Sequence, residues 1–386
     1  MRKIYLDNAA TTPIHPEVRE AVLPYIEEYF GNPSSIHYFG REVKKAIDLA
    51  REQVAALIGA KADEIIFTSG ATESDNYAIL GIARAKKEKG NHIITSAIEH
   101  HAVLDTCESL QKEGFEITVL PVDSDGLVNP ADVRAAITDK TILITIMHAN
   151  NEIGTIQPIK EIGAIAKEKG VLFHVDAVQT VGQIPVNVDE LQVDLMSLSG
   201  HKMYGIKGSG ALYVRKGVRP EKIIFGGAQE RKKRAGTENI VGIVALGKAA
   251  EIAKRELPER MKHNTALREK LIKGILDKVP YVILNGHREK RLPGNVNFCF
   301  EYIEGESLLM NLDFQGIAGS TGSACTSGSL SASHVLLAIG LSPDIAPSSL
   351  RLTIGRNNTE EDIDYVLDVL PKAVEKLRMM SPTYPG

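Results

Sequence analysis

Short apolar runs at 64–67, 92–98, 115–119, 141–148, 171–175, 194–198 and 210–214 recur along this chain with helical patterns between them. That alternation narrows the choice of fold sharply. Connections of helical length favour parallel neighbours, and a parallel sheet must have both faces covered by helices. The fold class expected is therefore α/β, a mostly parallel seven-stranded sheet flanked by helices. Ahead of the first run, Val18, Val22, Tyr25, Ile26, Tyr29 and Phe30 fall at helical spacing from Pro16 until Gly31-Asn32-Pro33 stops them, and a second helix is predicted over 42–57. A long helical pattern then starts near Glu238 and passes Glu256, with Pro258 as the expected kink, and beyond it the text reads as mixed α+β. With 386 residues available, two domains are expected. A large one covers 15–255, and a smaller α+β one takes 256–386 together with the opening 1–14.

Composition removes several function classes. A formal net charge of -4, 5% aromatic residues and no Trp give neither the basic stripe nor the stacking platform that nucleic-acid binding needs. The opening Met1-Arg2-Lys3-Ile4-Tyr5-Leu6-Asp7 meets an acid before a signal-type apolar segment can build, and no apolar stretch reaches membrane-spanning length. A cytoplasmic protein is expected. The three cysteines, Cys107, Cys299 and Cys325, are far apart and unpaired in sequence, which argues against a disulfide framework or a zinc knuckle.

Two polar residues stand at the ends of apolar runs. Asp176 closes 171–175 in His174-Val175-Asp176-Ala177-Val178-Gln179, and Lys202 follows 194–198 in Ser199-Gly200-His201-Lys202. An acid and an amine at the carboxyl edge of an open α/β sheet suit pyridoxal phosphate (PLP), whose aldehyde needs an amine and whose pyridine nitrogen needs an acid to stay protonated. Gln179 could reach the ring hydroxyl. The ordinary alternatives are a helix-capping Asp and a solvated Lys. The turn Ser69-Gly70-Ala71-Thr72-Glu73-Ser74-Asp75-Asn76 leads into a helical run where a phosphate could sit, although Thr72 and Asp75 also fit a capping box. The glycines at 205, 208 and 210 have the spacing GxxGxG, which is neither dinucleotide nor P-loop. His100 and His101 are adjacent and would face apart on a strand, which disfavours a shared metal. Asn150-Asn151-Glu152-Ile153-Gly154 follows another strand end, where a plain turn is the competing reading. Arg351 could clamp a substrate carboxylate, or make an everyday ion pair.

Cys325 lies in a Gly/Ser/Ala/Thr-rich stretch at 316–333. Its neighbours Gly322-Ser323-Ala324 and Thr326-Ser327-Gly328 are too small and polar to make a core. An ordinary thiol near pKa ~8.5 needs only modest activation to become a nucleophile, so this residue reads as a catalytic thiol on a mobile tether.

Taken in order, these strings resemble the NifS/IscS-type cysteine desulfurases, class V aminotransferase relatives of PLP fold-type I. The likeness includes Leu6-Asp7-Asn8-Ala9-Ala10-Thr11-Thr12-Pro13, Gly31-Asn32-Pro33-Ser34-Ser35, Gly70-Ala71-Thr72-Glu73-Ser74, Glu99-His100 and the strings around Asp176 and Lys202. It continues through Arg234-Ala235-Gly236-Thr237-Glu238-Asn239, Gly322-Ser323-Ala324-Cys325 and Ser349-Leu350-Arg351. It spans nearly the whole chain. The resemblance implies that Lys202 carries PLP, Asp176 meets the pyridine nitrogen, Gln179 the ring oxygen, and His100 stacks on the ring and moves protons. Ala71, Thr72, Ser199, Gly200 and His201 would surround the phosphate, and Thr237 would reach the PLP of a second subunit in a homodimer. Asn151, at the cofactor, and Arg351 would fix the carboxylate of L-cysteine.

The activity so implied is removal of sulfur from L-cysteine, giving L-alanine and a persulfide on Cys325. Sulfur would pass to an acceptor protein such as an iron–sulfur scaffold, and the same Cys325 would be the candidate for a transient iron–sulfur cluster ligand. The long small-residue loop resembles the group of the family with a mobile cysteine. The chain departs from that group at Ser331-Ala332, where Glu-Pro is expected. Another PLP reaction on the same fold, selenocysteine cleavage or transamination, is the alternative.

Overall fold

The computed structural model describes residues 2–321 and 332–385. The expected catalytic Cys325 lies outside the described residues. The chain opens with β1 (Ile4–Tyr5), α1 (Pro16–Glu27) and α2 (Tyr38–Ile58). Seven strands follow, β2 (Ile65–Thr68), β3 (His92–Ser96), β4 (Glu116–Leu120), β5 (Thr141–Thr145), β6 (Leu172–Asp176), β7 (Leu195–Ser199) and β8 (Gly210–Val214). They form one sheet in the order β2-β8-β7-β6-β5-β3-β4. Pairing is parallel from β4 to β7, while β8 runs antiparallel to both its neighbours. Each strand matches one apolar run of the sequence within a few residues.

Burial on both faces explains why those runs are continuous rather than alternating. β3, β5 and β7 are buried at every position, whereas β4, at the edge, is exposed at its first residue and only half-buried over the next two. The connecting helices are α3 (Ala71–Lys86), α4 (His101–Lys112), α5 (Pro130–Ala136) and α6 (Ile159–Lys169). One apolar cluster joins α1 and α2 to Ile144, Phe173, Val175 and Met196 of the sheet, and another packs Ile79 and Ile82 of α3 on Ile66, Ile93 and Leu212.

Helix α7 (Ile240–Lys278) runs through Pro258 as a single helix of 39 residues. Its first half contributes Ile243, Leu246 and Ala250 to the sheet core, and its second half contributes Leu267, Leu271 and Ile275 to a separate cluster with Val296, Phe298 and Leu350. That second cluster is built on β9 (Val282–Leu284), β10 (Asn295–Phe300), α8 (Gly305–Phe314), β11 (Ile317–Ala318), β12 (Ser349–Thr353) and α10 (Glu360–Met379), whereas α9 (His334–Ala338) packs with Ile98, Met147 and Ile153 in a smaller one. β9, β10 and β12 form an antiparallel sheet. β1 pairs in parallel with β11, and Ile4 and Leu6 join the same cluster.

Ile144 is fully buried in β5. Truncation there removes packed methyl groups and leaves a cavity, so Ile144→Ala is expected to cost about 2–5 kcal/mol. Chemical denaturation monitored by circular dichroism checks it; a loss below about 1 kcal/mol would show that the site collapses freely.

Candidate active site

Parallel strands β5, β6 and β7 end at one edge of the sheet, and a cavity of about 460 Å³ opens there. Asp176 is the last residue of β6 and Ser199 the last of β7, so the sheet itself delivers both. A short 3-10 turn, Gly200–Lys202, then brings His201 and Lys202 to the cavity wall. The Lys202 ammonium donates to the carbonyl of Ala9 and, at 2.7 Å, to that of Ala10. Gln179 donates to the same Ala9 carbonyl at 3.0 Å. The expected amine, acid and amide therefore share one wall.

Helix α3 supplies a second wall. Its N-cap is Gly70, with no side-chain hydrogen bond closing the first turn, and Ala71 and Thr72 line the cavity. The capping-box alternative is thus excluded, since Asp75 is buried in the helix and lines the cavity instead. Open N–H groups at a helix start attract a phosphate. His201 faces the same space, and its Nδ1 lies 3.1 Å from Thr11 Oγ1. Burial, helped by the charges of Lys202 and Lys207, lowers its pKa to about 4, so the ring is neutral at pH 7.

His100 caps α4, its Nδ1 accepting from the Ala102 N–H at 3.1 Å, and its ring faces the cavity. Burial lowers its pKa, against the pull of Asp176 and with the push of Lys202. The adjacent His101 turns away toward Asp105 at 3.0 Å, so the two imidazoles do not converge. Burial also raises the Asp176 carboxyl, opposed by the Val178 N–H at 2.9 Å and by the charges of His100 and Lys202.

Across the cavity, Arg351 and Asn151 meet. The buried guanidinium donates to the Asn151 carbonyl at 2.9 Å and to Asp7 at 3.0 Å. Its Nε is buried without a partner. Of the residues expected at the cofactor, Gly200 and Thr237 do not line the cavity. Gly200 packs inside the turn, where a Cβ would come within 2.6 Å of Ser209 Oγ, and Thr237 is exposed.

Sequence reasoning did not find Asp75, buried beside Ser197 and His174, or Glu99 below the cavity. Glu99 Oε1 accepts from Ser96 Oγ at 2.5 Å and from the Met147 N–H at 2.9 Å. His174 lies between, its ring 2.8 Å from Thr145 Oγ1, 3.0 Å from Ser197 Oγ and 3.6 Å from Asp75. The signal available was an acid next to each singled-out residue, Asp75 after Thr72 and Glu99 before His100. The arrangement offers an amine, a facing carboxyl, a phosphate-sized cluster of donors and a guanidinium, the set PLP and an amino-acid carboxylate require.

The family of class-V aminotransferases matches residues 4–366. The chain belongs to that family. It is 58% identical to the cysteine desulfurase IscS of Dictyoglomus turgidum over 99% of this chain and 97% of that one. It is 59% identical to the cysteine desulfurase IscS of Methanosarcina thermophila over 100% of this chain and 95% of that one. Among solved structures, a NifS-like protein superimposes with a TM-score of 0.92 at 40% identity, over 97% of this chain and 100% of that one. The architecture is that of PLP fold-type I.

Burial, reinforced by Asp176, pushes Glu99 from an ordinary 4.5 to about 8. The folded protein therefore keeps this proton at pH values where the unfolded chain has released it, and stability is lost as pH rises from about 4.5 to about 8. Glu99→Gln, which cannot ionise, is expected to flatten that decline. Melting temperatures of both proteins across this interval check it; parallel pH profiles would show that Glu99 is not the group responsible.

Proposed function

We infer that the protein is a PLP-dependent cysteine desulfurase, and the observation that carries this is the meeting of Lys202, Asp176, the open α3 turn and Arg351 around one cavity. In this reading Lys202 holds the cofactor aldehyde, Asp176 faces the pyridine nitrogen, and Gln179 the ring oxygen. Ala71, Thr72, Ser199 and His201 enclose the phosphate, with the α3 N–H groups and the neutral His201 ring as donors, while Gly200 shapes the turn that carries His201 and Lys202. The 460 Å³ cavity is of the size that holds a small cofactor with its substrate. When bound, PLP supplies an electron-withdrawing ring that stabilises the carbanion formed at the substrate Cα.

The chain's own groups do the rest. Arg351, with Asn151, receives the carboxylate of L-cysteine, because a guanidinium matches that group bidentately. Lys202 Nζ takes the Cα proton and later returns one, and the Ala9 and Ala10 carbonyls that hold it as an ammonium are ready acceptors for its N–H groups. His100, at the cavity wall, would stack on the ring and relay a proton. Cys325, as thiolate, attacks the substrate sulfur; an S–S bond forms, the Cβ–S bond breaks, and protonation of the remaining carbon skeleton gives L-alanine. The products are alanine and a persulfide on Cys325. The persulfide sulfur then passes to an acceptor protein, such as an iron–sulfur scaffold, with Cys325 the candidate ligand for a transient cluster.

Further parts of the proposal concern organisation. Residues 15–255 form the PLP-binding domain, and 1–14 with 256–386 the smaller one. A homodimer is supported by exposed apolar side chains between Ile26 and Phe39, including Ile36 at 90% and Phe30 at 75% exposure, with Phe30 stacked on Phe39 at 5.3 Å. Thr237, exposed and away from its own cavity, reaches the cofactor of the second subunit. Among the described residues no helix is long and apolar enough to cross a membrane, and we place the enzyme in the cytoplasm.

The test is incubation of PLP-loaded protein with L-cysteine and a reductant, with alanine and sulfide quantified together. Equal yields are expected. Cys325→Ala should keep the cofactor and lose sulfide release, and Lys202→Ala should lose covalent attachment with a fall in turnover on the order of 10²–10⁴-fold. Absence of alanine from cysteine, with product from selenocysteine or from a keto acid, would reassign the reaction.

A further inference from the structure

The connection from β8 to α7 runs over 215–239, and its second part, 226–239, has almost no regular structure and an unusual backbone. Glu230, Arg231 and Lys232 hold φ of 45°, 57° and 68° in succession, the left-handed region, with no glycine among them. Such a run does not persist unless its surroundings over-determine it. Here they do. Glu230 is buried and takes a bidentate pair from Arg51 of α2, both contacts at 2.7 Å, and also accepts the Phe67 N–H of β2 at 2.9 Å. Arg51 is fixed in turn by the Ile65 carbonyl at 2.7 Å and lies 4.5 Å above the Phe67 ring.

Further along, Tyr77 of α3 donates to the Lys233 carbonyl at 2.6 Å, and Arg234 grips Glu73 at 2.8 and 3.1 Å. Asn239 donates to the carbonyl of Gly208, a residue of the cavity wall, at 3.1 Å. Between these anchors Gly236 and Thr237 are exposed. The segment is therefore bolted at both ends beside the α3 turn while its middle faces outward. A segment ordered before association spares the ordering cost that a loose one would incur on binding.

We propose that the buried Arg51–Glu230 pair is a positioning device that acts across the subunit boundary, fixing 226–237 so that Thr237 of one copy completes the phosphate end of the cavity in a second copy. The proposal rests on the homodimer reading above. It assigns to Arg51 and Glu230, neither of which lines the cavity, an effect on the cofactor affinity of the partner rather than of their own subunit.

The experiment pairs Glu230→Gln with mixed dimers. Apo protein is titrated with PLP, the absorbance of lysine-bound cofactor is read, and mass is followed by light scattering. The Glu230→Gln homodimer is expected to bind PLP about tenfold more weakly or worse, since breaking one partner of a buried ion pair strands the other. Co-expression with Lys202→Ala gives mixed dimers in which only the Glu230→Gln subunit can attach PLP covalently, and its cavity is completed by an intact segment. That site should regain wild-type affinity. A mixed-dimer site as weak as in the homodimer overturns the positioning role, and so does unchanged affinity in the homodimer. A monomeric wild-type protein overturns the homodimer reading and the proposal with it. Should Glu230→Gln fail to fold, the double change Arg51→Met with Glu230→Met removes both buried charges and carries the same comparison.

Discussion

Drawing several ionisable groups out of water at one sheet edge is the constraint on which the rest of this site depends. Asp75, Glu99, His174 and Asp176 are all buried at the carboxyl ends of the strands or on the helix above them. Burial disfavours charge, and neighbouring carboxyls disfavour it further. Glu99 and Asp75 are pushed up for both reasons, while His174 is pushed down to about 3 and stays neutral. Burial raises Asp176 as well, but unlike the other two acids it faces His100 and Lys202, which oppose that rise. Asp176 is thus the one of these three acids whose burial is opposed by Lys202.

The opposite wall depends on a segment too short to fold by itself. Residues 7–12 lace the two halves of the site together, with Asp7 on Arg351, the Ala9 and Ala10 carbonyls on Lys202, and Thr12 accepting the Tyr204 N–H at 2.9 Å. Asn8 donates to the Thr353 carbonyl at 2.8 Å, which ties the same residues to β12. Amine and guanidinium, delivered by distant parts of the chain, are consequently spaced by one short stretch of backbone. In the proposed reaction that spacing would matter, because a substrate held by its carboxylate at Arg351 would have to present its Cα to Lys202.

These relations also show what the sequence made legible. Strands buried on both faces write themselves as unbroken apolar runs, so the sheet could be read nearly residue by residue, and Asp176 and Lys202 stood out as polar groups at the ends of such runs. Ala9 and Ala10 gave no such sign, because main-chain acceptors leave no mark in side-chain chemistry. Asp75 resembled a capping residue, since short-range spacing cannot tell a cap from an acid turned inward. Gly200 was expected beside the cofactor from its neighbours, yet the turn it makes points it into the protein; here the absence of a side chain serves packing. The Arg51–Glu230 pair was invisible for the simplest reason, its partners being 179 positions apart.

The turn at 150–153 connects the Arg351 guanidinium to the described residues that flank 322–331. Asn150 builds it, accepting from the Glu152 and Ile153 N–H groups at 2.8 and 3.0 Å and donating to Ile98, next to the His100 turn, at 2.8 Å. Its next residue offers the carbonyl that Arg351 grips, and Glu152 accepts from Ser333 Oγ at 2.5 Å. On the other side, Ser320 and Arg351 exchange backbone hydrogen bonds at 3.0 and 2.6 Å. Ser333 and Ser320, described residues on either side of 322–331, therefore rest on the turn that seats the Arg351 guanidinium and on the Arg351 backbone itself.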